Sequence, residues 1–325
     1  MTELYDTNGS NESGNVIQCP YSGHIQRVKI PAPVKPVVSQ GPNQGIAANA
    51  PLGKETKMER KVTWEIYDEG QMKELEAVNQ EYREFLDHGK TERECIDTIV
   101  NTIEAEGYRE LESLIESGAK LKKGDKVYSV CMNKSIAMFQ IGEKPMTEGM
   151  NILGAHIDSP RIDVKQNPLY EDSGLAYLDT HYYGGVKKYQ WVATPLALHG
   201  VVVKKDGTIV ELNIGENEDD PVFFISDLLV HLAGEQMKKT AGQVIEGEAL
   251  DLIVGSKPIH IVPGEEKKEE AGEKDKKAKE AVKEGILGIL KDTYGIEEED
   301  FLSAELEIVP AGKAREAGFD RSIIL

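Results

Sequence analysis

The sequence has 325 residues, of which 39% are hydrophobic and 29% are charged, and its formal net charge is −19. This composition is typical of a globular protein, and no apolar run approaches the ~20 residues that a bilayer span requires, so we expect no membrane anchor. The negative charge would repel phosphate backbones and argues against nucleic acids as partners.

The first residues and the cysteines favour a cytoplasmic location. The opening MTELYDTNGSNESGNVIQ has neither a basic head nor an apolar stretch, so it does not look like a secretory signal. Cys19, Cys95 and Cys131 are odd in number and lack CxxC spacing, which argues against a disulfide framework and against a thiolate zinc site. We therefore predict a cytoplasmic protein with reduced thiols.

A flexible leader and two amphipathic helices are predicted for the first third of the chain. Residues 1–57 are rich in Asn, Gly, Ser and Pro and show no sustained periodicity. In QMKELEAVNQEYREFL, the apolar residues recur on one helical face. Thr91 and Glu94 then have the spacing of a capping box ahead of a second helix, for which Gly107 is a plausible stop.

The next segments indicate strands. KVYSVCMNKSIAMFQIG alternates and contains a turn at Asn133-Lys134, which predicts a hairpin that leads into a strand, MNILGAHID. Helices followed by core strands are typical of an α/β layered domain, and we assign residues 58–165 to its first part.

After Arg161 the sequence predicts a second, β-rich domain. Its segments are rich in β-branched and aromatic residues, and Asp206-Gly207 is a strong hairpin signal. We expect one helix, SDLLVHLAGEQMKK, capped by Ser226 or Asp227, and a solvated charge run between Gly264 and Lys283. AVKEGILGILKDTYGI reads as a helix and SAELEIVPA as a strand. The predicted domains are therefore residues 166–302 and a return to the first domain in residues 303–325.

The motif NILGAHIDSP carries the candidate chemistry. Side chains two apart on a strand point to the same face, so His156 and Asp158 could share one site beside Pro160, where the ladder would end. Imidazole is the commonest metal ligand, and a carboxylate that accepts its other N–H fixes the tautomer. The pair is thus a possible fragment of a metal site. The alternative is a hydrogen-bonded pair that only caps a strand end.

Three separated stretches then favour the metal site. NILGAHIDSPRIDVKQNPLY, LAYLDTHYYGGVKKYQW and DDPVFFISDLLVHLA, in this order, resemble the aspartyl aminopeptidase and vacuolar aminopeptidase I family of zinc metallopeptidases. The likeness runs from about residue 60 to the end of the sequence. It implies a three-layer α/β catalytic domain, incomplete here, that holds two zinc ions. It also implies an inserted β-rich domain that pairs subunits into dimers, which build a tetrahedral dodecamer.

The resemblance also implies residue roles. His156 would be a zinc ligand and Asp158 the catalytic carboxylate that orients it. The family's bridging aspartate, Glu-Glu pair, further Asp and late His are expected beyond Leu325, so only the first ligand region is expected in this chain. The other acidic groups, Asp219-Asp220, Glu265-Glu266 and Glu297–Asp300, are expected to be surface charges.

Two further residues are weaker candidates for substrate or subunit contacts. His181 lies beside Gly184-Gly185 and several aromatics, which suits either a cleft or a plain β-hairpin face. In animal members of the family, a histidine in a stretch similar to PVFFISDLLVHL reaches the partner's active site, and Asp227 takes that position here. Asp227 could contact a substrate amine or simply cap a helix. His199 and His231, in apolar contexts, are predicted to be core or interface residues.

Two functions follow from these patterns. The first is a zinc aminopeptidase that removes residues from peptide N-termini and forms homo-oligomers through its β-rich domain. The second is a catalytically silent assembly or interaction module of the same fold, because most of the expected ligands are absent.

Overall fold

The computed structural model describes residues 62–258 and 280–325. The leader predicted for residues 1–57 and most of the predicted charge run lie outside the described residues. From Thr63 onward the described chain contains four α-helices: α1 (Glu69–His88), α2 (Glu92–Ala105), α3 (Leu111–Glu116) and α4 (Ala281–Tyr294). No helix in the described ranges is long and apolar enough to cross a bilayer.

Local capping signals define both long helices near the start of the described chain. The N-cap of α1 is Asp68, which forms a capping box with Gln71. Thr91 and Glu94 form the predicted capping box at the start of α2. Gly107 adopts a positive φ of 87° just past the end of α2, as expected for a helix stop. Both predicted helices are therefore confirmed.

A small sheet follows these helices. It consists of β1 (Arg109–Glu110), β2 (Lys126–Cys131) and β3 (Ser135–Gln140), in that order. β2 and β3 are antiparallel with Cys131 opposite Ser135, and Asn133 has a positive φ of 52° in the turn. The predicted hairpin is thus confirmed.

The larger sheet has six antiparallel strands. They are β4 (Arg161–Asp172), β5 (Leu175–Tyr183), β6 (Leu196–Val203), β7 (Ile209–Ile214), β8 (Leu252–Gly255) and β9 (Ala304–Pro310). Their order is β7-β6-β9-β4-β5-β8, so β9 lies in the middle although it comes last in sequence. β10 (Glu316–Ala317) and β11 (Ile323–Ile324) form a separate pair.

The core of the larger sheet is formed by alternate apolar side chains. Ile162, Leu196, Leu252 and Ile308 are fully buried within it. Gly200 allows β6 and β9 to approach closely, because its φ is +136° and a Cβ atom there would lie 2.0 Å from the carbonyl oxygen of Glu305. The predicted hairpin at Asp206-Gly207 joins β6 to β7, and the predicted helix and strand at residues 281–310 are α4 and β9.

Two predicted elements are wrong. MNILGAHID forms no strand: residues 149–160 pair with no strand of the described chain, and Leu153 is 100% exposed. An apolar run becomes a strand only when a neighbouring ladder satisfies its backbone groups. SDLLVHLAGEQMKK contains only the 3₁₀ turn Gln236–Lys238. Leu229 and Val230 are more than 70% exposed, so no apolar face is buried that would stabilise a helix there.

The predicted domain boundaries stay a prediction. The six-stranded sheet begins at Arg161 and ends at Pro310, so β4 crosses the proposed limit at residue 166, and β9 lies wholly beyond the proposed limit at residue 302. These two strands therefore link the β-rich sheet to the residues that flank it on both sides.

Candidate metal and catalytic site

His156 and Asp158 lie together in the irregular loop of residues 151–160. His156 Nδ1 is 2.8 Å from the backbone carbonyl oxygen of Asp158 and 3.4 Å from its Oδ1 atom. Because a carbonyl oxygen only accepts, Nδ1 carries the proton and donates, which leaves the lone pair on Nε2 when the ring is neutral. The side chains are 83% and 41% exposed. The loop, rather than strand alternation, brings the two residues together.

Tyr183, the last residue of β5, also contacts this pair. Its hydroxyl donates to Asp158 Oδ2 at 3.1 Å, and this bond and the negative charge of Asp158 raise the pKa of the Tyr183 phenol. Tyr183 is paired with Arg161 across the β4–β5 ladder, and the guanidinium of Arg161 lies 4.1 Å from the centre of the tyrosine ring. The Tyr183–Asp158 hydrogen bond thus connects the loop to the sheet, and the cation–π contact joins β4 to the same tyrosine.

Arg161 belongs to a buried ionic cluster behind the loop. Its guanidinium donates to Glu92 at 2.6 Å and to Asp163 at 2.8 Å, and its Nε lies 3.3 Å from Glu307 Oε2. The side chains of Arg161, Glu92 and Glu307 are each less than 10% exposed. Glu92 and Glu307 each keep one buried oxygen without a hydrogen-bond partner in the described chain. Burial, and then the charge of Glu92, raise the pKa of Glu307 to about 8.

The first turn of α2 contributes further ion pairs to the same face of the sheet. Arg93 bonds to Glu305 on β9 at 2.6 Å. Glu94 lies 2.7 Å from His199 Nδ1 on β6, and although burial acts in the opposite direction, this histidine holds the pKa of Glu94 below its usual value. His199 is 1% exposed, so its predicted core position is confirmed. Helix α2 is therefore attached to the sheet by side chains of opposite charge.

The structure does not bring the two weaker candidates to the His156–Asp158 pair. His181 Nδ1 lies 3.2 Å from the backbone oxygen of Tyr182. Asp227 accepts from the backbone N–H of Leu228 and from Gln236, each at 2.8 Å, and caps no α-helix, so that interpretation is wrong. In the described chain neither residue forms a hydrogen bond or ion pair with His156 or Asp158.

The structure confirms some of the remaining expectations about acidic residues and histidines and contradicts others. Asp219 is exposed, and Asp220 is a half-buried turn residue that accepts from Gly215 and Asn217. Asp300 is 7% exposed and caps a 3₁₀ helix, so its predicted surface position is wrong. His231 is exposed, so it is not a core residue. Glu265 and Glu266 lie outside the described residues.

The described side chains fit one zinc ligand and its carboxylate partner. His156 Nε2 has no hydrogen-bond partner within residues 62–258 and 280–325, which leaves it available to a cation, and its other nitrogen is already held. The same residues contain no group of three His, Cys, Asp or Glu side chains that could hold a metal ion. Zinc sites in proteins use three or four protein ligands, so this part of the chain supplies only a fraction of such a site.

Sequence reasoning missed Tyr183, Arg161 and the buried carboxylates. Tyr183 lies inside an aromatic stretch that reads equally well as a strand face. In the sequence, Glu307 is visible only as a charged residue that alternates with apolar ones in ELEIV. Arg161 is visible only as a cation at the start of a strand. Neither pattern identifies the partner, because Arg161 and Glu92 are 69 residues apart.

Comparisons with known proteins agree with this architecture. The family model described as aminopeptidase I zinc metalloprotease (M18) matches residues 85–325. The probable M18 family aminopeptidase 1 of Clostridium acetobutylicum is 54% identical over 267 residues, which are 82% of this chain and 54% of that protein. The protein of the same name in Thermotoga maritima is 44% identical over 268 residues, with the same coverage.

Solved structures give the same result. The Thermotoga maritima M18 aminopeptidase has a TM-score of 0.71 at 43% identity and covers 82% of this chain and 54% of its own. The S. cerevisiae mApe1 dodecamer, at 16% identity and a TM-score of 0.53, covers 77% of this chain and 52% of its own and shares the fold. The predicted α/β fold is thus confirmed, and the chain spans about half the length of the curated relatives it matches. With a family match over residues 85–325, this chain belongs to the M18 family of aminopeptidase I zinc metalloproteases.

Proposed function

We propose that this chain provides the first ligand region of a zinc aminopeptidase that releases N-terminal residues from peptides. The observation that carries the proposal is the arrangement of His156: Nδ1 is held by Asp158, and Nε2 is exposed and free to bind a metal. Membership of a zinc metalloprotease family supports zinc as that metal. Two ions per complete site are expected from the resemblance.

In this proposal His156 and Asp158 have separate tasks. His156 would be the metal ligand through Nε2, and Asp158 would keep the ring in the Nδ1–H tautomer and turn it toward the metal. Bound zinc would lower the pKa of a water molecule toward ~7 and polarise the peptide carbonyl. The residues present here bind and orient; the general base that moves the proton is not assigned to any described side chain.

The proposed partners are peptide substrates and further copies of the same chain. We propose that residues 166–302 form an inserted dimerisation domain and that dimers build larger assemblies, as the dodecameric relative does. The support is an exposed apolar run in this region, where Leu229, Val230 and Leu232 are at least 70% exposed. His181 and Asp227 remain proposals for contacts with substrate or with a neighbouring subunit.

Equilibrium dialysis of the 325-residue chain against zinc tests the site. We expect weak binding of one ion, since a single imidazole and a carboxylate are an incomplete ligand set. His156→Ala should abolish this binding, whereas His231→Ala, which removes another exposed histidine, should not. Equal zinc binding by wild type and His156→Ala would show that the ligand assignment is wrong.

The same measurement separates the proposal from its main alternative. A catalytically silent assembly module is favoured by the lack of any three-residue metal cluster among the described residues. Such a module would bind no zinc at His156. Tight binding of two zinc ions, or release of N-terminal residues from a peptide by this chain, would rule the silent module out.

A further inference from the structure

Tyr183 and His156 contact opposite oxygens of one carboxylate. The Tyr183 hydroxyl donates to Asp158 Oδ2 at 3.1 Å, and Asp158 Oδ1 lies 3.4 Å from His156 Nδ1. Rotation of this carboxylate about its Cβ–Cγ bond would break the Tyr183 hydrogen bond and change the distance between Oδ1 and the imidazole. The tyrosine therefore limits the orientations in which Asp158 can face the imidazole.

Few contacts within the loop restrict the position of Asp158. Residues 149–160 form no ladder with any described strand, so no backbone pairing fixes the Asp158 side chain. Tyr183, by contrast, ends β5 opposite Arg161 and is thus part of the six-stranded sheet. Immediately after it, Gly184 has a φ of +76°, and a Cβ atom there would lie 3.8 Å from the Cα of Pro160. The two chain segments therefore run close together where Tyr183 reaches the loop.

The side chain of Arg161 packs against the ring of Tyr183 and restricts its movement. The Arg161 guanidinium lies 4.1 Å from the ring centre, and the Arg161 side chain is only 8% exposed. Arg161 is itself bound by Glu92 and Asp163, so its position is fixed by charges from α2 and β4. A continuous series of contacts thus runs from the buried cluster through Arg161 and Tyr183 to Asp158.

We propose that Tyr183 is a positioning residue for the metal ligand: its hydroxyl holds the Asp158 carboxylate, which keeps His156 in the Nδ1–H tautomer with Nε2 available to a metal. This inference rests on the proposed function, because it gives Tyr183 a task only if His156 binds a metal. Tyr183 acts through Asp158, because its hydroxyl donates to Asp158 and not to the imidazole of His156. The backbone carbonyl of Asp158 also accepts from Nδ1, so the tyrosine adds to this preference and does not create it alone.

The test measures the tautomer of His156 directly, without metal. In the full 325-residue chain with ¹⁵N-labelled histidine, the ring ¹⁵N shifts at pH about 8 report which nitrogen carries the proton in neutral rings. His156→Gln identifies the His156 signals by their loss. Tyr183→Phe should lower the ratio of Nδ1–H to Nε2–H tautomer by roughly threefold to tenfold, the range expected when one ordinary intramolecular hydrogen bond is lost.

Two controls separate positioning from general damage. Tyr182→Phe removes the neighbouring hydroxyl, which donates no hydrogen bond to Asp158, and should leave the tautomer ratio unchanged. Asp158→Ala should lower the ratio at least as much as Tyr183→Phe, and the double variant should show no additional loss, because both changes act on the same contact. Thermal melting of each variant checks that the fold is retained. An unchanged ratio in Tyr183→Phe, or additive effects in the double variant, would overturn the proposal.

Zinc dialysis of the same variants distinguishes this proposal from the proposed function. If Tyr183→Phe shifts the tautomer but zinc binding does not depend on His156, the hydroxyl still orients Asp158 and the zinc-site assignment fails. If zinc binding depends on His156 but Tyr183→Phe leaves the tautomer ratio unchanged, the zinc site stands and the role of Tyr183 is refuted.

Discussion

The first turn of α2 and the loop of residues 151–160 place ionisable side chains in opposite surroundings. Glu92 and its partner Arg161 are less than 10% exposed and fixed by several charged neighbours, whereas His156 is 83% exposed. The first group holds two layers of the protein together, and the second presents a free ring nitrogen at the surface. The buried charged side chains therefore stabilise the fold, whereas the exposed ring of His156 is accessible to ligands.

This difference implies different responses to substitution. A buried charge that loses its partner leaves an uncompensated charge in a poorly hydrated site, and that is costly. An exposed side chain that is replaced exchanges one solvated group for another. Changes in the cluster should therefore affect stability strongly, and changes in the loop should affect it little.

The largest effect is expected for Arg161→Met. It leaves Glu92, Glu307 and Asp163 without their common cation, and the free energy of unfolding should fall by about 3–5 kcal/mol. Urea denaturation followed by circular dichroism measures the change. Lys205→Met, which removes an exposed pair with Glu299, should leave the midpoint unchanged. If both variants unfold at the wild-type midpoint, the cluster does not hold α2 to the sheet.

A pH-dependent effect of intermediate size is expected for Glu307→Gln. Because the pKa of Glu307 is raised to about 8, the folded wild type keeps this proton between pH ~4.5 and ~8 while the unfolded chain has lost it. The stability contributed by the neutral form is therefore complete below pH ~4.5 and lost as the pH rises to ~8. Gln stays neutral, so the variant should lack this decline.

Urea titrations at pH 5, 6, 7 and 8 measure the difference between wild type and Glu307→Gln. The variant should gain stability relative to wild type across this range, on the order of a few kcal/mol by pH 8. The pKa of Glu94 is lowered, so its contribution to stability is lost only when the pH falls below the usual pKa of a carboxyl group. Glu94 therefore does not affect the comparison between pH 5 and pH 8. A constant difference from pH 5 to pH 8 would mean that Glu307 is ionised throughout.

The smallest effect is expected in the loop. Leu153 is 100% exposed, so Leu153→Ser should change the free energy of unfolding by no more than about 0.5 kcal/mol. Leu252→Ser, which alters a fully buried leucine of β8, provides the matched contrast and should destabilise strongly. A large loss in Leu153→Ser would show that this apolar loop is buried in the native protein in solution.

The sequence predicted what depends on neighbours along the chain. The capping box of Thr91 and Glu94, the turn at Asp206-Gly207 and helix α4 all follow from short-range patterns, and the structure confirms each. The prediction of a strand at residues 150–158 is wrong, because strand formation depends on a neighbouring strand that the local sequence does not reveal.

The site was predictable only in part, for a similar reason. His156 and Asp158 are two residues apart, so their proximity is local and could be expected. Tyr183 lies 25 residues from Asp158, and Glu92 lies 69 residues from Arg161, so these contacts exist only because β4, β5 and α2 pack together. The spacing of charged residues in a sequence does not show which of them will be buried as pairs.

The central position of β9 has a consequence for synthesis on the ribosome. β9 forms ladders with both β4 and β6, yet its residues follow those of every other strand in the sheet. Until Ala304–Pro310 have left the exit tunnel, the earlier hairpins each present an open edge to other nascent chains. The sheet can therefore be completed only after Ala304–Pro310 have been synthesised and released from the tunnel, and protection of these open edges by chaperones matters most in the interval before that.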